Sequence, residues 1–272
     1  MDTSTDTRAI ESLLGFWSQA GADACFLDAP LDRLAPRESP APRPIGRIGA
    51  ATSAAVAPVV TAPDLTAAID QARALAAGAQ DLAQLEAAIS AFDGCGLKFE
   101  GARRAVFSRG APDAPVMIIG EGPGAEEDAQ GAPFVGRAGK LLDKMLAASG
   151  LSDRVFITNT VFWRPPGNRT PAPAEQMVCA PFLERAIALV KPRFLMLAGG
   201  AAAKSVLKRD EGILSLRGRW FDWKSEDGAL QLPALPTLHP AFLLRQPGAK
   251  KRAWADMLTL SERLDRPERP EA

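Results

Sequence analysis

Short apolar runs alternate with amphipathic stretches along the second half of the chain. Four of these runs are apolar enough to be strands buried on both faces of a sheet: VMIIGEG (116–122), RVFITNTV (154–161), RFLMLAGG (193–200) and LPALPTLH (232–239). Stretches with apolar residues at helical spacing lie at 136–150, 173–190 and 249–264. Strands that alternate with helices predict an α/β fold, with a parallel sheet that carries helices on both faces.

The N-terminal part of the chain follows a different pattern. Residues 8–20 carry apolar side chains at helical spacing, which predicts an N-terminal helix within residues 1–28. Residues 29–63 are rich in Pro, Ala and Ser and have no sustained periodicity. That composition is typical of a flexible linker.

A second helical segment is predicted between the linker and the alternating part of the chain. Asp64 can cap a helix over about 65–90. Four apolar residues within this segment form one stripe: Leu82, Leu85, Ile89 and Phe92. We therefore assign a helical segment to residues 64–94 and one compact domain to residues 95–266.

Composition excludes several classes of protein. The chain has 272 residues, 47% of them apolar and 24% charged, which is typical of a globular protein. It has no run of about 18 apolar residues and no basic-then-apolar N-terminus, so we expect neither a membrane span nor a secretory signal. Its three cysteines, Cys25, Cys95 and Cys179, are too few for a disulfide framework, which predicts a cytoplasmic protein. With a single histidine, His239, chemistry that needs two is excluded.

Charge is unevenly distributed, although the net charge is zero. Residues 1–100 have a net charge of −6 and residues 101–272 a net charge of +6. A basic C-terminal part is compatible with a polyanionic partner. From charge alone, ordinary variation of surface composition is the simpler explanation.

Chemically informative residues lie where the predicted strands end. Glu121 follows the first strand, Asn159 lies near the end of the second, Gly199 and Gly200 follow the third, and His239 follows the fourth. In open parallel sheets, binding sites form outside the carboxyl ends of the strands. We therefore expect these residues to meet in one site.

The segment GEGPGAEEDAQGAPFVGRAG (120–139) combines glycines around Pro123 with four closely spaced carboxylates. The glycines allow a sharp turn and a close approach of backbone to a ligand. The carboxylates are unsuited to phosphate but suit a developing cation or a positioned water. The alternative is a solvated acidic loop ahead of a helix, favoured by the helix dipole.

Two further segments carry candidate chemistry: TNTVFWRPPGNRTP (158–171) and HPAFLLRQPGAKKR (239–252). The amide of Asn159 combines a donor and an acceptor, so it can read the edge of a base. In the second segment a histidine, an apolar pair and several basic residues suit an apolar wedge with phosphate contacts. The alternatives are a structural turn in the first segment and a capped helix start in the second.

Together, these motifs resemble the uracil-DNA glycosylase superfamily, most closely its family 4: GEGPGxxED, PFVGRAG, TNTVxxRPPGNRxP and HPAFLLRxP. The resemblance runs from about Cys95 to the last helix. It implies a three-layer α/β/α sandwich around a four-stranded parallel sheet. The N-terminal 90 residues lie outside the resemblance, and their pattern predicts a helical or disordered extension. The resemblance also implies a repair hydrolase that excises uracil from DNA and leaves an abasic site. We expect a monomer whose partner is uracil-containing DNA.

The resemblance implies three catalytic residues. Glu121 would lie near the sugar, where it orients water or stabilises positive charge. Asn159 would bind the O4/N3 edge of uracil and so reject cytosine. His239 would hydrogen-bond the O2 side and stabilise negative charge as the glycosidic bond breaks.

Further residues are implied to bind the base and the DNA. Phe134 would stack on the extruded uracil, Gly120 and Gly122 would allow a close backbone approach, and Glu127 would form the wall near C5 that excludes the methyl group of thymine. The residues implied to contact DNA are Leu244, Arg245, Arg164 and Arg169, with the first two entering the duplex.

The chain departs from family 4 at the iron–sulfur site. Members of this family usually hold a 4Fe-4S cluster with four cysteines, and here only Cys95 and Cys179 match those positions. Phe92 and Trp163 occupy the other two. Because such a cluster needs about four thiolates, we predict no cluster, no metal and no other cofactor.

Two other functions are compatible with parts of the sequence. Gly120, Gly122 and Ala125 fit the glycine template of dinucleotide-binding oxidoreductases, but Pro123 interrupts the loop and the acidic run would face the pyrophosphate. A non-catalytic binder of damaged DNA on the same fold would retain uracil-containing DNA without releasing uracil.

Overall fold

The computed structural model of the chain describes residues 62–266. The predicted helix within residues 1–28 and all but the last two residues of the predicted linker over 29–63 lie outside the described residues. Those last two residues belong to a helix, α1 (Ala62–Gly78).

The helix predicted over about 65–90 is wrong in detail, because two helices occupy this segment. After α1, a second helix, α2, spans Leu82–Ala91. Asp81 is its N-cap and accepts a hydrogen bond of 2.8 Å from the Gln84 N–H. The capping carboxylate after the poor helix former Gly78 explains the break. Asp64 lies within α1 and does not precede it.

In the part of the chain that the structure describes, six strands form the central sheet. They are β1 (Arg109–Gly110), β2 (Val116–Gly120), β3 (Val155–Asn159), β4 (Phe194–Ala198), β5 (Phe221–Lys224) and β6 (Gln231–Thr237), in the order β1-β3-β2-β4-β6-β5. The four inner strands are parallel, which confirms the predicted four-stranded parallel sheet. The two edge strands are antiparallel additions that the apolar pattern did not predict.

Seven further helices of the described part of the chain connect or follow these strands. They are α3 (Ala125–Gln130), α4 (Arg137–Ala148), α5 (Pro173–Val190), α6 (Gly200–Leu207), α7 (Ile213–Leu216), α8 (Pro240–Arg245) and α9 (Lys250–Asp265). The predicted helices at 136–150, 173–190 and 249–264 correspond to α4, α5 and α9.

The sheet has a hydrophobic core on each face. On one face, side chains such as Met117 and Leu195 pack with α1, α2, α5 and α6. On the other face, side chains such as Ile118 and Met196 pack with α4 and α9. This alternation along each strand produces the expected three-layer α/β/α architecture. Within residues 62–266, no helix has both the length and the apolarity that a membrane span requires.

The order of the strands determines where a site can form. After β2 the chain crosses to β3 on one side, and after β3 it returns to β4 on the other side of β2. Loops that leave the carboxyl ends of β2 and β4 therefore diverge and open a crevice between them.

Candidate active site

A cavity of about 600 Å³ opens at the carboxyl ends of the parallel strands. It is lined by Glu121 after β2, Asn159 at the end of β3, Gly199 after β4 and His239 after β6. Phe134, from the loop between α3 and α4, lines the same cavity. The structure therefore brings together the residues that the sequence placed at four separate strand ends.

Gly120 lies where the Phe134 ring and the Asn159 carboxamide come together. A Cβ atom at this position would collide with the Phe134 ring and with Oδ1 of Asn159. The absence of a side chain at Gly120 is what allows the aromatic ring and the carboxamide to approach one another across the end of β2. Any larger residue here would displace one of them.

Phe134 and His239 are neighbours across the cavity. Their ring centroids are 5.5 Å apart, and the ring planes differ by 30°. Phe134 is buried against the α4 face of the sheet. An aromatic face and an imidazole at this spacing form a platform and a polar edge for a planar ligand.

The carboxamide of Asn159 is buried, and its Nδ2 has no hydrogen-bond partner within the described part of the protein. Leaving a buried donor unpaired costs about 1–3 kcal/mol. Such a group is rare in folded proteins and calls for an explanation. Because Asn159 lines the cavity, a ligand acceptor can supply the missing partner.

His239 is held in one tautomer by the helix that follows it. The residue is the N-cap of α8, and its Nδ1 accepts a hydrogen bond of 3.1 Å from the Ala241 N–H. The ring proton is therefore on Nε2. Burial, together with the positive charge of Arg245, lowers the pKa of His239 to about 4. The imidazole is thus a neutral donor at physiological pH.

Two glutamates of the acidic loop line the cavity, and one of them is also hydrogen-bonded to the backbone. Glu121 lines the cavity. Glu127 also lines it, but both carboxylate oxygens already accept hydrogen bonds, from the N–H groups of Gly124, Val135 and Gly136. Gly122 packs closely against Val161, where a Cβ would be crowded.

The residues expected to contact DNA differ in their surroundings. Leu244 is exposed on α8, and the neighbouring Arg245 lines the cavity. Arg169 also lines it but forms a two-bond ion pair with Glu175, at 2.6 and 2.9 Å, and a longer one with Glu100 at 3.4 Å. Arg164 donates to the Asn168 side chain at 2.7 Å. Within residues 62–266, Arg245 has no carboxylate partner.

The two cysteines that match the family's cluster positions lie side by side in the core. Cys95 and Cys179 are buried free thiols, and burial raises the pKa of Cys179 well above its usual value. Phe92 and Trp163 are also fully buried, with ring centroids 6.4 Å apart. Phe182 packs edge-on against Phe92 at 5.2 Å. Aromatic rings thus occupy the two positions that the resemblance assigns to the other ligands, and residues 62–266 offer two thiols here, which do not fit a four-thiolate cluster.

Arg109 was not predicted from the sequence. It lies in the two-residue edge strand β1, and its guanidinium reaches the backbone of the loop that carries Phe134. The partners are 24 and 25 residues away in sequence, and no local pattern connects them.

The fold and this site define a known class of protein. The family model of the uracil DNA glycosylase superfamily matches residues 107–258, which contain all the residues of the cavity described above. The chain belongs to the uracil DNA glycosylase superfamily.

Several proteins similar to this chain are named type-4 uracil-DNA glycosylases. The chain is 37% identical to the type-4 uracil-DNA glycosylase of Sulfurisphaera tokodaii over 171 residues, covering 61% of this chain and 77% of that protein. It is 40% identical to the type-4 uracil-DNA glycosylase of Thermotoga maritima over 142 residues, covering 52% of this chain and 71% of that protein. It is 37% identical to that of Pyrobaculum aerophilum over 183 residues, covering 65% and 91%.

Proposed function

We propose that this chain excises uracil from DNA by hydrolysing the N-glycosidic bond, and that it releases a strand with an abasic site. The observation that carries this proposal is the shared cavity of Phe134, Asn159 and His239 in a chain of this superfamily. A base can reach such a cavity only after it leaves the helical stack, which costs a few kcal/mol. Stacking on the Phe134 ring offsets part of that cost.

Asn159 supplies the specificity for uracil. Uracil presents an acceptor at O4 and a donor at N3, so Nδ2 of Asn159 donates to O4 while Oδ1 accepts from N3. Cytosine presents the reversed pattern. The buried, unpartnered Nδ2 supports this assignment, because uracil supplies the acceptor that the folded protein lacks. Glu127 stays our candidate for the wall near C5.

His239 and Glu121 stabilise the charges that develop as the bond breaks. Cleavage leaves negative charge on the base and an oxocarbenium-like sugar. The Nε2–H of neutral His239 donates to O2 of the departing base, and the carboxylate of Glu121 faces the sugar or orients the attacking water. Loss of one such preorganised donor costs about 3–4 kcal/mol in the barrier.

DNA binding is assigned to the rim of the cavity. Leu244 enters the space left by the extruded base, and Arg245, which has no carboxylate partner among residues 62–266, contacts the backbone. Arg164 and Arg169 contribute positive charge from the loop after β3, although Arg169 is already partly neutralised by Glu175.

The experiment that tests the function is direct. The protein is incubated with an oligonucleotide that carries one uracil, treated with alkali, and the strand is examined for scission at that position. We expect scission at uracil and none in the matched thymine oligonucleotide. Retention of the uracil oligonucleotide without scission or free uracil would identify a damage binder instead.

We expect the rate of the chemical step to be independent of pH. A mechanism that needs a protonated imidazole would instead change its rate over the same range. Because the pKa of His239 is about 4, the ring stays neutral between about pH 8 and pH 5.5. The charges facing it are those of Arg245 and Glu127. Single-turnover rates should show no acceleration attributable to His239 across this range. A rate that rises with falling pH through about 6.5, and loses that rise in His239→Gln, would contradict a neutral donor.

We further propose that the enzyme works without an iron–sulfur cluster. The aromatic side chains of Phe92 and Trp163 pack where two cluster ligands would be needed. Protein produced in iron-depleted medium should therefore equal iron-replete protein in activity and in thermal unfolding temperature. Metal analysis with visible absorption checks the premise, and about four irons per chain with loss of activity on their removal would refute it.

A further inference from the structure

The backbone of Phe134 is held in an unfavourable conformation. Its φ is +54°, in the left-handed region that bulky residues rarely adopt. Strain of this kind persists only where surrounding contacts over-determine it. Surrounding groups must therefore hold the loop that carries this ring.

Arg109 donates hydrogen bonds to backbone carbonyl groups of this loop. Its Nε donates to the Pro133 carbonyl at 2.8 Å, and its Nη2 donates to the Phe134 carbonyl at 3.2 Å. The same Nη2 donates to Asp143 of α4 at 2.6 Å, which anchors the guanidinium. Gly139 of α4 lies directly against the Phe134 carbonyl, where a Cβ would collide with it.

Glu127 accepts hydrogen bonds from backbone amide groups of the same loop. Its Oε1 accepts from the N–H groups of Val135 at 3.0 Å and Gly136 at 2.9 Å. Its Oε2 accepts from the Gly124 N–H at 3.1 Å, which ties the carboxylate to the start of α3. The Arg109 cation therefore binds the carbonyls of Pro133 and Phe134. The Glu127 anion binds the amides of the two residues that follow.

We propose that Arg109 and Glu127 are positioning residues that together fix the Phe134 ring as the stacking platform for the extruded base. This inference rests on the proposed function. Both side chains act on backbone atoms, and the ring that they position packs against Gly120 and His239. Hydrogen bonds to charged groups are among the strongest available to a loop. Without them, the loop relaxes from the left-handed conformation and the ring leaves its place.

The test is a double-mutant cycle between Arg109 and Phe134. The variants are Arg109→Ala, Phe134→Ala and the double variant, assayed for single-turnover uracil release and for DNA affinity. We expect R109A to slow release about tenfold with DNA affinity retained, and to have less than about a twofold effect when Phe134 is already alanine. Additive effects would overturn the proposal, because Arg109 would then act through another group.

A matched control separates positioning from general stability. Arg154 forms a comparable ion pair with Asp265 at 2.7 Å, before the amino end of β3 and away from the cavity. R154A should release uracil at the wild-type rate at temperatures well below unfolding. Equal rates for R109A and R154A would overturn the proposal. An absence of uracil release by the wild-type protein would instead refute the proposed function.

A second pair of variants keeps the proposal testable if R109A does not fold. Glu127→Gln retains an oxygen that can accept from Val135 and Gly136, whereas Glu127→Ala removes it. We expect E127A to weaken inhibition by free uracil about tenfold and E127Q to restore most of it. We expect E127A to have less than about a twofold effect when Phe134 is already alanine, because a wall at C5 would act without the ring. Unchanged inhibition by uracil in E127A would overturn the role of Glu127.

Discussion

Asn159→Ala is expected to slow uracil release by about 10²–10³-fold while DNA affinity changes little. The buried carboxamide has an unpaired Nδ2, which the O4 acceptor of uracil pairs in the proposed complex. Removing it leaves the O4 and N3 groups of uracil without protein partners, and such losses appear chiefly in the transition state. Single-turnover kinetics and DNA affinity, measured separately, check this expectation.

Asn159→Asp is the matched variant for this position. It has nearly the same size, but a carboxylate has no donor and faces the O4 acceptor of uracil. We expect it to lose at least as much activity as the alanine variant. Activity within a few-fold of wild type in both variants would show that Asn159 does not read the base.

His239→Ala is expected to lower the rate of the chemical step by a similar factor of about 10²–10³. The reason is the loss of the Nε2–H donor, which the hydrogen bond from Ala241 to Nδ1 orients in the wild-type protein. Because this donor acts on charge that develops in the transition state, the loss should appear in kcat more than in KM. Single-turnover rates at saturating enzyme measure the rate of this step.

His239→Gln provides the control, because a carboxamide can still donate a hydrogen bond without titrating. It should recover part of the activity lost in the alanine variant. If the alanine and glutamine variants both match wild type, His239 serves only to cap α8, and the proposed role in leaving-group stabilisation fails.

The parallel core of the fold could be predicted because its strands are buried on both faces. Residues 116–120 and 194–198 have continuous apolar character, and nothing but a buried strand or a short core helix explains such runs. The sites at the strand ends followed from the same argument, since carboxyl ends of parallel strands meet at one edge. Asn159 and His239 were therefore predicted to share one site without knowledge of their contacts, and both line the cavity.

The edge strands and the loop contacts could not be predicted. β1 has two residues, and its pairing with β3 depends on partners such as Ile157 that lie far along the chain. Arg109 gives no local signal, since its carbonyl partners are determined by the left-handed turn at Phe134. Periodicity describes which faces are buried, but it carries no information on which backbone atoms a surface arginine will reach.

A structure with bound DNA tests the central claim most directly. An oligonucleotide with 2′-fluoro-2′-deoxyuridine suits this purpose, because the fluorine disfavours the oxocarbenium-like state and preserves the glycosidic bond. We predict the uracil ring stacked on Phe134, with the Asn159 carboxamide on its O4/N3 edge and Nε2 of His239 toward O2. A uracil that stays in the helix, or that lies outside the cavity shared by these three residues, would contradict the account.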